Sequence, residues 1–274
     1  MLRLALSAPS PYAGWVSRRT TVTGLRIHAR VRANPVAGMP VVLLHGLAVS
    51  HRYLMPTAHA LADRHPVLVP DLPGFGFSDR PRRAYDVRQH AALVAAWLDT
   101  HGLAGICLLG HSFGAEIAAA VARARPELVA ALVLACPTAD PAARTRLGLI
   151  GRGARDLPAE PFWQVPVIAR DVWQARPWRV LATVGHSAHN GIEDDLAWVS
   201  APTLVLGGER DPVAPLRWRS RLAQLSGGVS VTVPGAPHNV LTTAGPAAAD
   251  AIAAHLSTVE VVPAVGERRD DGGR

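Results

Sequence analysis

The most informative stretch of the chain is Ile106-Cys107-Leu108-Leu109-Gly110-His111-Ser112-Phe113-Gly114-Ala115-Glu116-Ile117. An apolar run breaks at Gly-x-Ser-x-Gly and continues as an Ala-rich segment, which predicts a strand, a sharp turn and a helix. Ser112 stands at the apex of this turn. We expect it to have a positive φ, because the chain must pass close to itself on either side of the serine. Gly110 and Gly114 supply the small residues that this approach requires.

Working outward, strand and helix patterns alternate along the chain. Short apolar runs without polar alternation predict strands covered on both faces, and they occupy residues 41–44, 66–69, 106–109, 131–134, 203–206 and 229–233. Helical patterns lie between them at 87–101, 115–125, 215–225 and 246–256. This alternation predicts a three-layer α/β domain with a mostly parallel central sheet.

The segment 15–32 follows a different pattern, with apolar and polar residues alternating around Thr23-Gly24. This predicts an antiparallel hairpin, in which Leu25, Ile27, Ala29 and Val31 face the core. Arg26, His28, Arg30 and Arg32 are then expected on the polar face.

Composition and charge exclude several classes of function. The chain has 274 residues, of which 49% are hydrophobic, enough for one large domain or a domain with an insertion. All 28 residues counted as Lys or Arg are Arg, and they are scattered without aromatic interleaving, so we expect no nucleic-acid partner. No apolar run approaches the roughly 18 residues that span a bilayer, and the N-terminal run is too short for a signal peptide.

The two cysteines, Cys107 and Cys136, fall in predicted strands and match no metal-ligand spacing. Buried free thiols suit a reducing compartment, so a cytoplasmic location is predicted.

Three residues that could act together follow the ends of predicted parallel strands. Ser112 follows the strand at 106–109, Asp211 follows the strand at 203–206, and His238 follows the last strand. Taken singly, Asp211 could be a turn former and His238 a loop histidine. Because the carboxyl ends of parallel strands meet at one edge of a sheet, the three together predict a nucleophile, an acid and a base. Such a triad requires no metal and no organic cofactor.

Backbone N–H groups are the candidates for binding an oxyanion. The N–H of Leu47 follows His45-Gly46 at another strand end, and the N–H of Phe113 lies at a predicted helix N-terminus. We expect His45, Asp71 and Asp79 to have structural roles. For Glu116, one turn after Ser112, a carboxylate near a helix N-terminus is favoured over a catalytic group.

The sequence resembles the α/β-hydrolase superfamily, in the serine-nucleophile branch of esterases, lactonases and C–C bond hydrolases. The resemblance covers about residues 16–256. It rests on the motifs His45-Gly46, Asp71-Leu72-Pro73-Gly74-Phe75-Gly76-Phe77-Ser78, Gly110-His111-Ser112-Phe113-Gly114, Gly208-Glu209-Arg210-Asp211-Pro212 and Pro237-His238.

The resemblance implies a hydrolase core formed by residues 1–137 and 200–258, interrupted by a helical cap at 138–199 that roofs the site. Trp163, Trp173 and Trp178 lie in this cap, and we expect them to supply an aromatic wall for the substrate. Within the cap, Gly185-His186-Ser187-Ala188-His189 is interpreted as a polar loop. The charged, Gly-rich tail 259–274 is expected to be disordered.

We expect a serine esterase that cleaves a carboxylic ester or lactone of a small, partly apolar substrate through an acyl-enzyme. In the resembling haloalkane dehalogenases and epoxide hydrolases an aspartate occupies the apex, so Ser112 argues against both. Asn239 and Phe113 replace residues typical of the C–C hydrolases, which leaves that activity an alternative. A non-hydrolytic acyltransferase or lyase, a ligand-binding receptor and a homodimer also remain open.

Overall fold

The structure is a computed structural model that describes residues 13–259. The strands in this part of the chain are β1 (Trp15–Val22), β2 (Leu25–Arg32), β3 (Val41–Leu44), β4 (Val67–Pro70), β5 (Ile106–His111), β6 (Val129–Ala135), β7 (Thr203–Gly208) and β8 (Val229–Val233). They form one sheet in the order β1-β2-β4-β3-β5-β6-β7-β8. The disordered tail predicted for 259–274 falls outside the described residues, apart from Val259.

The sheet is antiparallel at one edge and parallel elsewhere. β1 pairs with β2 around the turn at Thr23-Gly24, and β2 pairs antiparallel with β4. All pairs from β4 through β3, β5, β6 and β7 to β8 are parallel. The predicted hairpin and the mostly parallel sheet are both confirmed.

The alternation in β2 is misleading at two positions, because His28 and Arg30 are buried and do not face solvent. The loop after β4 covers this face of the hairpin. His28 donates its backbone N–H to Ser78 Oγ at 2.9 Å, and its Nδ1 lies 2.8 Å from Asp71 Oδ2. Buried His28 is tolerated here because the loop supplies its hydrogen-bond partners, whereas Arg30 Nε donates to His51 Nε2 at 3.4 Å.

Helices cover both faces of the sheet. They are α1 (His51–Leu61), α2 (Val87–Thr100), α3 (Phe113–Ala124), α4 (Arg146–Asp156), α5 (Val165–Ala175), α6 (Pro177–Ala188), α7 (Ile192–Leu196), α8 (Leu216–Leu225), α9 (Val240–Thr243) and α10 (Gly245–Leu256). α1 packs against α9 and α10, and α2 packs against α3. α7 packs against both α3 and α8. The three-layer α/β architecture is therefore confirmed.

Two further expectations about the core need correction. α1 has no counterpart among the predicted helices, since Pro56 interrupts its pattern, although Ser50 caps its N-terminus. β8 is not covered on both faces: Val229, Ser230 and Thr232 are exposed, and only Val233 is buried. Its position at the end of the sheet leaves it without a second neighbour.

The four helices α4 to α7 lie between β6 and β7 and form an inserted helical segment. The segment 185–189, interpreted above as a loop, is instead mostly the last turn of α6, whose packing against α4 stabilises the helical conformation. The exact limits of the cap, 138–199, remain a prediction. Across residues 13–259, no helix is both long and apolar enough to cross a bilayer.

Candidate active site

The turn at Ser112 joins β5 directly to α3. Ser112 has φ 55° and ψ −119°, which confirms the positive φ expected for it. A Cβ on Gly110 would lie 2.1 Å from the carbonyl oxygen of Gly114, and a Cβ on Gly114 would lie 2.5 Å from that of Leu44. Both contacts are with backbone atoms, which cannot rotate away as a side chain could. Glycine at both positions therefore allows the turn to lift Ser112 out of the sheet.

Gly114→Ala should therefore lower the free energy of unfolding by at least about 2 kcal/mol, because the new methyl group collides with fixed backbone. Urea unfolding followed by circular dichroism measures the change. Gly151→Ala is the matched control: Gly151 lies in α4 with no atom within 4 Å of the added Cβ, and there alanine favours the helix. Equal urea midpoints for Gly114→Ala and wild type would contradict the prediction.

The structure brings Ser112, His238 and Asp211 together at the carboxyl edge of the sheet. Ser112 Oγ lies 3.0 Å from His238 Nε2. On the other side of the ring, His238 Nδ1 lies 3.0 Å from Asp211 Oδ2 and 3.1 Å from Oδ1. These distances place a hydroxyl, an imidazole and a carboxylate in one hydrogen-bonded row.

Buried charges shape the electrostatics of this row. Burial opposes ionisation of Asp211, but the charge of His238 and hydrogen bonds from His238 and the Ala214 N–H outweigh it, so its pKa lies well below its usual range. Burial also opposes the charged form of His238 and so lowers its pKa. The charge and the hydrogen bond of Asp211 raise the pKa of His238, and the net effect is a rise. Asp211 thus stabilises a proton on His238.

The backbone donors predicted for an oxyanion lie beside Ser112. Leu47 and Phe113 line the same cavity as Ser112 and His238. Within residues 13–259, neither backbone N–H has a hydrogen-bond acceptor in the protein. The Phe113 N–H is also at the N-terminus of α3, where the helix dipole favours negative charge.

A cavity of about 300 Å³ opens above Ser112. Its wall is mostly aliphatic and comes largely from the inserted helices, with Leu149 and Ile150 on α4 and Val180 and Val184 on α6. The hydroxyl-bearing residues Thr138 and Ser187 add polarity to the wall. A cavity of this size suits a small molecule.

The three tryptophans expected to contact substrate do not line this cavity. Trp163, Trp173 and Trp178 are 58%, 80% and 46% exposed. Trp163 lines a separate cavity with Arg52 and Ile168. In place of the three tryptophans, α4 and α6, which face Ser112, present aliphatic side chains there.

The polar residues His45, Asp71 and Asp79, in the loops after β3 and β4, have structural contacts, as expected. His45 Nε2 accepts a hydrogen bond from the Leu72 N–H at 2.9 Å. Asp71 is buried and accepts from the backbone N–H groups of His51 and Phe77. Asp79 pairs with Arg26 at the surface.

Two polar clusters next to Ser112, His238 and Asp211 could not be identified from the sequence. In the first, Glu116 is buried and accepts hydrogen bonds from Thr138, Ser187 and Asn190, which lie 22, 71 and 74 residues further along the chain. The thiol of Cys136 also lies beside Asp211 and His238, where burial raises its pKa to about 11. No local sequence pattern signals contacts of this kind.

In the second cluster, the inserted segment holds the loop that carries His238. Asp156 Oδ1 accepts from the backbone N–H of His238 at 3.1 Å, and Glu160 Oε1 accepts from that of Asn239 at 2.8 Å. Gln164 contacts both Glu160 and the Asn239 side chain. Burial raises the pKa of Asp156 to about 7, and Glu160 adds to the shift although the charge of His238 opposes it. We call Asp156, Glu160 and Gln164 the histidine-loop clamp.

Glu160→Ala should lower kcat roughly tenfold with little change in KM, because it loosens the His238 loop without altering the cavity wall. Steady-state kinetics with an activated ester measures both constants. Asp194→Ala is the matched control, since it removes an exposed carboxylate of the insertion that is remote from the clamp. An unchanged kcat for Glu160→Ala would show that the clamp does not position His238.

Among residues 13–259, two groups of side chains have the composition of a metal site, but their donor atoms already have hydrogen-bond partners. His111, Cys136 and His238 lie close together. Both ring nitrogens of His111 have partners, the Tyr53 hydroxyl and the His238 carbonyl. In the second group, His28 and His51 direct Nδ1 at Asp71. A metal at either place would have to displace these hydrogen bonds.

Comparison with known proteins agrees with the fold. Residues 39–160 match the family model described as alpha/beta hydrolase fold, and residues 173–267 match the model described as TAP-like protein. A haloalkane dehalogenase from Mycolicibacterium paratuberculosis is 35% identical over 42% of this chain, but the match spans only 40% of that protein. A poly(3-hydroxyalkanoate) depolymerase from Ectopseudomonas oleovorans is 25% identical over 79% of this chain and 85% of its own length.

Among solved structures, a thermophilic esterase from Thermogutta terrifontis is 26% identical, with a TM-score of 0.72 over 89% of this chain and 98% of that chain. The two family models together span most of the sequence. The order of strands and the inserted helices agree with this likeness. The chain therefore has the α/β-hydrolase fold.

Proposed function

We propose that this hydrolase is a serine esterase, which cleaves an ester or lactone bond of a small, partly apolar substrate through an acyl-enzyme. One observation carries the proposal: the Ser112 hydroxyl lies 3.0 Å from His238 Nε2 at the wall of a small aliphatic cavity. A hydroxyl paired with an imidazole in this way is the arrangement that acyl transfer requires.

The reaction proceeds in two halves. His238 accepts the proton of Ser112 as the serine oxygen attacks the substrate carbonyl, and Asp211 holds the imidazole in the required tautomer. The N–H groups of Leu47 and Phe113 donate hydrogen bonds to the oxyanion. The intermediate then collapses, and His238 gives its proton to the leaving alcohol. In the second half His238 activates water, which releases the acid and restores Ser112.

The relatives include a dehalogenase, a depolymerase and an esterase, so the identity of the apex residue matters. Ser112 favours acyl transfer over halide displacement, because the resemblance assigns an aspartate to the apex in dehalogenases. We also propose that 138–199 caps the site, since α4 and α6 supply much of the cavity wall.

Hydrolysis of p-nitrophenyl esters of increasing acyl length tests this function. We expect turnover that is abolished by a fluorophosphonate, with short aliphatic acyl groups preferred because the cavity is only about 300 Å³. Added alcohols distinguish an acyltransferase, which would form a new ester in place of the acid. Absence of both turnover and labelling would instead support a receptor on this fold.

A further inference from the structure

Glu116 is a buried carboxylate beside the substrate cavity that the mechanism above does not use. It lies on α3, one helical turn after Ser112, and is 0% exposed. Its Oε1 accepts hydrogen bonds from Thr138 Oγ1 at 2.6 Å and from Ser187 Oγ at 2.5 Å. Its Oε2 accepts from Asn190 Nδ2 at 2.9 Å. Three donors, one from the loop after β6 and two from the insertion, thus converge on one carboxylate.

The charge state of Glu116 determines what its partners can do. Burial raises the pKa of Glu116 to about 7, although the hydrogen bonds from Ser187, Thr138 and Asn190 act in the opposite direction. At pH 8.5 the group is therefore mostly an ionised carboxylate, which can only accept hydrogen bonds.

The two hydroxyl partners consequently lose their ability to donate elsewhere. A serine or threonine hydroxyl has one hydrogen and two lone pairs, and here the hydrogens of Thr138 and Ser187 are both committed to Glu116 Oε1. Both residues also line the cavity above Ser112. Their remaining lone pairs offer acceptors to a ligand, while the other cavity-lining residues of α4 and α6 carry no polar side chain.

We propose that Glu116 is a positioning residue that makes Thr138 and Ser187 an acceptor-only pair, so that the preferred substrate carries a hydrogen-bond donor on the chain along this wall. The inference rests on the proposed esterase function and narrows its substrate class to esters with a hydroxyl or N–H in the bound chain. A substrate hydroxyl or N–H next to Thr138 and Ser187 gains a hydrogen-bond acceptor. A substituent that can only accept hydrogen bonds is instead repelled by the lone pairs of the two hydroxyl oxygens.

The test uses p-nitrophenyl esters of alkanoic acids with a hydroxyl at C3 or C6, positions that do not close to a five- or six-membered lactone, each compared at pH 8.5 with its fluoro analogue. Fluorine is close to hydroxyl in size but cannot donate. For at least one position we expect kcat/KM to favour the hydroxyl ester about tenfold. Thr138→Val combined with Ser187→Ala should reduce the preference to about twofold or less, since both acceptors are gone.

Glu116→Gln separates positioning from a merely structural role. If the glutamine oxygen keeps the hydrogen bond from Asn190, its NH2 group takes the place of Oε1 and donates to both hydroxyls, whose own hydrogens are then free to point into the cavity. The preference should shift toward the fluoro ester, which loss of packing alone would not produce. Thr183→Val is the matched control: Thr183 is a buried hydroxyl on α6 that donates to the Arg179 carbonyl at 2.9 Å, away from Glu116. It should keep the wild-type preference. The Thr138 and Ser187 variants retain Glu116 and provide the test where Glu116→Gln does not fold.

Calorimetric binding of the same ester pairs to Ser112→Ala makes the inference independent of turnover. A hydroxyl preference in Kd that disappears with the Thr138 and Ser187 substitutions supports the inference even where wild type hydrolyses no ester, which would count only against the esterase proposal. Equal binding of hydroxyl and fluoro esters at every position would overturn the inference. So would a preference that survives removal of both hydroxyls.

Discussion

Ser112→Ala should lower kcat for an activated ester by about 10⁴-fold or more while leaving the fold intact. The loss follows from removal of the oxygen that forms the acyl-enzyme, which the remaining residues cannot replace. The fold should survive because alanine at φ 55° is no more strained than serine, and the Ser112 side chain makes no helix cap. Steady-state kinetics with p-nitrophenyl butyrate and circular dichroism measure the two quantities.

The control for this variant is Ser226→Ala. It removes a half-buried hydroxyl that bonds only to the backbone at the end of α8. We expect wild-type kcat from it. If Ser112→Ala keeps more than about 1% of wild-type kcat, the serine is not the nucleophile.

Asp211→Asn should lower kcat/KM by about 10³- to 10⁴-fold. An asparagine amide can donate a hydrogen to His238 Nδ1, which leaves the proton on Nε2 and prevents that nitrogen from accepting the proton of Ser112. The hydrogen bonds from Val213 N–H and Ala214 N–H to Oδ1 should still fix the side chain, so the protein should fold.

The same variant should change the pH dependence of the residual activity. Activity needs neutral His238, so kcat/KM rises as pH passes upward through the pKa of that residue. Asp211 raises this pKa, and removal of its charge should move the rise to lower pH. Asp99→Asn, which removes an exposed partner of Arg125, should leave both rate and profile unchanged. An unshifted profile for Asp211→Asn would show that the two residues are not coupled.

The residues at the strand ends could be predicted from the sequence. The hydrophobic pattern locates the strands, and the order of the chain then identifies the residues that follow them. Buried parallel strands produce continuous apolar runs, and the residues after those runs must lie on one edge of the sheet. Ser112, Asp211 and His238 were found in this way. The glycines on either side of Ser112 also indicated its backbone conformation, since a Cβ at either position would meet backbone atoms.

The inserted segment could not be placed in this way. Helical periodicity indicates which residues share a face, but not which face packs over the cavity. Trp163 and Trp173 therefore suggested a wall, although α4 and α6 form it with aliphatic residues. The contacts of Glu116 and of the histidine-loop clamp join segments distant in sequence, and each depends on the packing of the insertion.

The most direct test of the central claim, that Ser112 is the nucleophile, is mass spectrometry of the protein after reaction with a fluorophosphonate. We expect one adduct per chain, located by fragmentation on Ser112 and formed at a rate that falls sharply in His238→Ala. An adduct on another residue, or full ester hydrolysis by a protein that carries no adduct, would contradict the claim.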